Sequence, residues 1–145
     1  AGPKVIEFNC RFGDPECQPL MMRLKSDLLE MMIATCEHKL DEVTIEWDPR
    51  PSVCVVMASG GYPGDYATGH EITGIADADA MEDVKVFHAG TAMVDGKLVN
   101  TGGRVLGVTA LGDTLEQAQQ RAYAAVEKIQ WTDSFYRNDI ASKAL

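Results

Sequence analysis

The stretch "EFNCRFGDPE", residues 7–16, interrupts an otherwise apolar start. It follows Val5 and Ile6 and mixes acids, an amide, an arginine and a Gly-Asp-Pro turn within ten residues. In an extended strand, residues two apart share a face. A short strand over Val5–Phe8, if continued, therefore projects Glu7, Asn9 and Arg11 together and turns Ile6 and Phe8 toward a core. A carboxylate beside an amide oxygen suits a hard cation such as Mg²⁺ or Mn²⁺. Arg11 repels a cation but can hold an anion next to one. The competing reading is an exposed edge strand with solvated polar side chains. Gly13, Asp14 and Pro15 form a tight turn, which ordinary turn chemistry also explains.

Working outward, the apolar residues Leu20, Leu24, Leu28, Met31 and Met32 recur at three- and four-residue steps. This spacing predicts one helix from about Pro19 to Glu37, with Met21, Met22, Met31 and Met32 as core filling. "DPRP", residues 48–51, then breaks the chain and marks a boundary between two units. Beyond it the pattern turns to β. Strands are expected at Val53–Ala58, His70–Ile75, Val84–Ala89 and Arg104–Ala110, with Asp77–Asp83 as a solvated loop. Asp95-Gly96 signals a hairpin joining Thr91–Val94 to Lys97–Asn100, because both central residues of a type I′ turn need positive φ. Thr114 and Gln117 form a candidate capping box for a final helix. Its buried stripe is Leu115, Ala118, Ala122, Ala125 and Ile129. Trp131, Phe135 and Tyr136 are expected to pack the tail down. The fold class is α+β.

A length of 145 residues fits one domain, or one small domain with an extra piece. The net charge of -9 comes from 13 basic and 22 acidic side chains. That balance argues against a nucleic-acid binder or an anionic-membrane binder, which need compensating cations. It leaves room for one local phosphate site. No apolar run approaches the roughly 20 residues that span a bilayer. The opening residues also lack the basic and apolar regions of a signal peptide. Cys10, Cys17, Cys36 and Cys54 include no C-x-x-C pair, so neither zinc nor a disulfide framework is expected. Cys36 and Cys54 read as small core residues of a reduced, cytoplasmic protein. The strand at the start lacks a preceding neighbour, which suggests that the chain begins at a cut edge.

Three further features carry open alternatives. "SGGYPGDY", residues 59–66, could wrap a ligand with the backbone N–H groups around Gly60 and Gly61, or be a plain hairpin loop. Arg104, after Gly102-Gly103, could bind a phosphate or sit in a strand salt bridge. His70 and His88 lack an acidic partner in sequence and read as structural.

The stretches "EFN" and "RFGDPE", followed in order by "QPLMMRLKSDLLEMM", "VVMASGGYPGDY", "VFHAGT", "NTGGRVLGVTALG" and "AQQRAYAAVEKIQW", resemble the glycinamide ribonucleotide synthetase (phosphoribosylamine–glycine ligase) family, bacterial type, of the ATP-grasp superfamily. The resemblance covers essentially the whole chain. It implies that residues 1–48 are the last strand and helix of an ATP-grasp lobe. Residues 51–145 would be a mainly antiparallel β C-terminal domain with a packed helix. N-terminal domains, including the nucleotide lobe, would be missing. The implied activity joins glycine to 5-phosphoribosylamine through glycyl phosphate, with ATP as substrate, in purine synthesis. By the same resemblance Glu7 and Asn9 are metal ligands, Arg11 faces the acyl phosphate or the substrate carboxylate, and Asp14 places an amine. Arg104 would take the ribose phosphate. The piece alone is expected to be inactive, and its alternative is a stable non-catalytic module or a small-molecule binding domain.

Overall fold

The structure is a computed structural model that describes residues 2–8 and 10–145. Its centre is a four-stranded antiparallel sheet. The strands are β1 (Ser52–Ser59), β2 (Val84–His88), β5 (Arg104–Leu111) and β6 (Ser134–Tyr136), in the order β2-β5-β1-β6. β3 (Thr91–Val94) and β4 (Lys97–Asn100) form a separate hairpin. Its turn residues, Asp95 and Gly96, have φ of 49° and 77°, as the Asp-Gly signal requires.

Side-chain alternation sorts the sheet into two faces. Val53, Val55 and Met57 join the main core with Val86, Val108 and Ile129. Helix α4 (Leu115–Val126) closes that core, and Ala118, Ala122 and Ala125 are each fully buried. Alanine at these positions lets the helix backbone approach β1, β5 and β2 closely. Thr114 Oγ1 accepts from Gln117 N at 3.2 Å, while the Gln117 side chain reaches Asp113 N at 3.1 Å. The expected cap is present, with its return bond moved one residue back. On the other face, α1 (Cys17–Arg23) packs against β1 and β5. Cys54 lies on that side, and burial pushes its thiol pKa up. A raised pKa leaves little thiolate, so Cys54 is a structural thiol.

The β1–β5 register slips between Met57, opposite Leu106, and Ala58, opposite Arg104. Val105 is the extra residue on β5. A bulge of this kind re-aims the neighbouring side chain. Here it leaves Arg104 exposed at the sheet end while Val105 is fully buried.

Several sequence expectations are corrected. Val5–Phe8 is not a strand: a ladder needs a neighbouring strand, no ladder forms here among the described residues, and Ile6 and Phe8 are 96% and 86% exposed. The long helix is two helices, α1 and α2 (Leu28–Cys36). The chain leaves helical geometry at Leu24, where ψ is 120°, to pair with Trp47. Lys25 N then donates to Glu46 O at 3.0 Å, and Asp27 restarts the helix by accepting from Leu29 N at 2.7 Å. Cys36 is exposed, and of the four methionines read as core only Met31 is buried. His70–Ile75 makes single bridges, Glu71 to Val99 and Thr73 to Gln130, and no strand. The expected acidic loop holds a short helix, α3 (Ile75–Asp79).

The 48–51 break is a charged clasp. Asp48 is buried and takes both Arg50 Nε, at 3.1 and 3.2 Å, and Arg50 Nη2, at 2.9 Å. Arg50 Nη1 reaches Asp83 at 2.8 Å, and Asp83 also receives Arg121 from α4 at 3.1 Å. The Arg50 bonds hold the Asp48 pKa at about 2, well below the usual carboxylate range. Among the described residues no helix is long and apolar enough to cross a membrane.

Candidate active site

Residues 7–16 run in extended and turn geometry along the outside of the molecule and lead into α1. The turn is fastened at Asp14. Gln18 Nε2 donates to Asp14 Oδ1 at 3.1 Å, and Cys17 N donates to Gly13 O at 2.9 Å. Arg104 comes from the start of β5, far away in sequence. Its Nη1 donates to Asp14 O at 3.0 Å and its Nη2 lies 3.1 Å from Asp14 Oδ2. An arginine that grips both a carbonyl and a carboxylate of one residue is held in direction as well as in place.

This contact closes a polar concavity of about 340 Å³, lined by Glu7, Arg11, Asp14, Glu16 and Arg104 together with Phe12 and Gly13. Arg11 Nη1 donates to Phe12 O at 3.2 Å at its edge. Three carboxylates thus face two guanidiniums across a water-accessible space. Such a surface can hold an anion at the arginines and an amine or cation at the acids.

The structure brings together four of the residues singled out in the sequence: Glu7, Arg11, Asp14 and Arg104. Asn9 lies outside the described residues. Gly60 and Gly61 do not line the concavity. Their glycine requirement has a local cause. Gly61 has φ of 95°, and a Cβ there would stand 2.1 Å from Asp65 O. A Cβ on Gly60 would stand 2.6 Å from Asp133 O.

Two residues escaped sequence reasoning. Glu16 joins the concavity through the Asp-Pro turn, and its acidic side chain was the available signal. Asn100, fully buried, organises the loop after β1. Its Nδ2 donates to Ser59 Oγ at 2.8 Å and to Ala67 O at 2.9 Å, and its Oδ1 accepts from His70 N at 2.8 Å. Ser59 Oγ passes the chain of bonds on to Gly102 O at 2.8 Å, two residues from Arg104. A polar residue ending an exposed hairpin strand gave no hint of this.

Among the described residues no three histidine, cysteine or carboxylate side chains are grouped to hold a metal ion. Glu7 offers a hard oxygen, but a single carboxylate is not a binding site for Mg²⁺ or Mn²⁺. The described residues do not make a metal site on their own.

Residues 52–143 match the family model for the phosphoribosylglycinamide synthetase C domain. The chain belongs to that family. A phosphoribosylamine–glycine ligase of Rhodopirellula baltica is 64% identical over 146 aligned positions, covering 100% of this chain and 33% of the relative. The Escherichia coli K12 ligase is 59% identical over 147 positions, covering 99% and 33%. The crystal structure of the Thermotoga maritima ligase, at 35% identity, superposes with a TM-score of 0.72 over 96% of this chain and 34% of that one. This member of the synthetase C-domain family therefore spans about a third of the length of the relatives it matches.

Proposed function

We propose that this chain is part of an ATP-dependent carboxylate–amine ligase that joins glycine to 5-phosphoribosylamine. The products would be glycinamide ribonucleotide, ADP and phosphate, in the cytoplasm, on the path to purines. One observation carries the reading. Glu7, Arg11 and Asp14 share a concavity with Arg104, a residue 90 positions from Asp14 in sequence, in a chain with high identity to ligases of that name.

The reaction brings carboxylate and phosphate charge together. Arg11 would sit against the glycyl phosphate or the glycine carboxylate and offset that repulsion. Asp14, held by Gln18 and Arg104, would orient the attacking amine. Arg104 would meet the ribose phosphate, and the Gly60–Gly61 loop would border the same substrate. Glu7 and Asn9 would give oxygen donors to a Mg²⁺ or Mn²⁺ ion. The other donors would come from the part of the relatives' length that this chain does not span.

The division at residues 48–51 belongs to the same reading: 1–48 as the end of an ATP-grasp lobe, 51–145 as the C-terminal domain. Supporting it, Phe12, Leu24, Met32, Leu40, Ile45 and Trp47 frame an open apolar groove of about 300 Å³, and Trp47 is 44% exposed. Within residues 12–47 only Met31 and Ala34 are buried apolar residues. That surface calls for a cover, and the remainder of the lobe would supply it. The 145-residue chain alone would then do no chemistry.

The test is a chimera. This chain replaces the matching third of the Rhodopirellula baltica ligase, and glycinamide ribonucleotide formation is followed. Turnover is expected, and Arg11→Met should reduce kcat by about a hundredfold. Normal turnover in that variant removes Arg11 from the reaction. Calorimetry of the isolated chain with Mg-ATP should show no binding, and micromolar affinity would contradict the need for the rest of the lobe.

A further inference from the structure

The direction of a side chain is set by the backbone that carries it, and the backbone ahead of Arg104 is fastened on both sides. From β1, Ser59 N donates to Gly103 O at 2.8 Å and Ser59 Oγ donates to Gly102 O at 2.8 Å. From the residues just after β2, Gly90 N donates to Arg104 O at 3.0 Å and Ala89 N donates to Val105 O at 2.9 Å. Gly90 O in turn accepts from Thr101 N at 2.8 Å. The approach is so close that a Cβ on Gly90 would stand 2.7 Å from Arg104 O and 2.8 Å from Gly102 N.

Among these bonds, the one that a substitution can remove is that of Ser59 Oγ. Ser59 is 2% exposed, so no solvent competes for its hydroxyl. The hydroxyl has one proton to give, and Asn100 decides where it goes. Asn100 Nδ2 donates to Ser59 Oγ at 2.8 Å, which occupies a lone pair and leaves the O–H to point at Gly102 O. Asn100 is itself fixed through Ala67 O and His70 N. The bulge at Val105 aims Arg104, but a bulge interrupts the ladder and so holds less firmly than regular pairing. The Ser59 bonds supply that hold one and two residues ahead of Arg104.

We propose that Ser59 is a positioning residue for Arg104. Through Gly102 it keeps the bulge, and with it the guanidinium, in the orientation that a phosphate meets. Asp14 steadies the far end of the same side chain, and Ser59 steadies its root. The inference rests on the proposed function for what Arg104 binds, and adds the means by which that arginine is held ready. A guanidinium already oriented loses less freedom when it binds. Losing the Ser59 hydroxyl therefore weakens affinity for the phosphate-bearing substrate and leaves the chemical step alone.

Two readouts test this, one of them without turnover. In the 145-residue chain, the Arg104 Nε–Hε NMR signal, identified by its loss in Arg104→Met, should move and broaden in Ser59→Ala. In the chimera with the Rhodopirellula baltica ligase, Ser59→Ala should raise KM for 5-phosphoribosylamine about tenfold, with kcat and the KM values for ATP and glycine unchanged. A general loss of structure would raise all three KM values together. Ser59→Cys, whose thiol donates weakly, should fall between parent and Ser59→Ala. In an Arg104→Met background, Ser59→Ala should add nothing to that KM. An Arg104 signal that stays in place in Ser59→Ala overturns the proposal, whatever the kinetics show. So does a KM for 5-phosphoribosylamine that rises by the same factor with or without Arg104. Should Arg104→Met itself leave that KM unchanged, the role of Arg104 under the proposed function fails, and the NMR signal alone decides the role of Ser59.

Discussion

Replacing Asn100 with alanine is the sharpest probe of how the loop after β1 is held. The side chain makes three hydrogen bonds from a fully buried position, to Ser59 Oγ, Ala67 O and His70 N. Each is worth about 1 kcal/mol net, and orphaning a buried backbone group adds to that. Ser59 keeps a partner in Gly102 O, so its loss is partial. The sum is about 3–4 kcal/mol of unfolding free energy. In a chain of this size that lowers Tm by roughly 10 °C. Asn100→Asp keeps the acceptor for His70 N but loses both donors and buries a charge, so it should cost at least as much. Urea denaturation reads the stability. Amide hydrogen exchange at His70 should accelerate in Asn100→Ala, where its acceptor is gone. A loss below about 1 kcal/mol in both would show that the loop is held by something other than this network.

Two further outcomes follow from the geometry. The Asp48 pKa falls from 3.8 to about 2 in the folded state, so its clasp stabilises fully above pH 3.8 and is lost as pH falls toward 2. The stability gap between the parent and Asp48→Asn should therefore close over that window, and a gap unchanged down to pH 2 would rule out the clasp as its source. Gly74 has φ of 83° and its Cβ position lies 1.8 Å from Lys128 O, whereas Gly69 has φ of 84° with open space around it. Thermal melts should show Gly74→Ala losing about 2 kcal/mol more than Gly69→Ala, and equal losses would mean that backbone conformation alone matters there.

Three of the four sheet strands, β1, β2 and β5, were legible in the sequence because they are apolar runs bounded by turn residues, whereas the short, half-exposed β6 was read only as packed tail. Asp95-Gly96 placed one hairpin to the residue, and the alanine stripe announced α4. The α1–α2 break was hidden because Leu24 fits the helical spacing, and a tertiary pairing with Trp47 overrides that spacing. The capping residue Asp27, three before Glu30, was the overlooked clue. His70–Ile75 has strand-like composition, but its backbone partners are scattered over Asn100, Leu98 and Gln130. In the site, local chemistry pointed to residues 7–16. Only folding could bring Arg104 to Asp14, and only the bulge at Val105 explains where that arginine points.

The arginine-centred junction at Asp48, Arg50, Asp83 and Arg121 has a mechanical consequence. Prolines on both sides of Arg50 stiffen the connection, and the ion pairs tether it to the start of β2 and to α4. The 48–51 connection is thus fastened to the sheet and to α4 instead of hanging as a free elbow. Raising the salt concentration is the simplest way to loosen this junction.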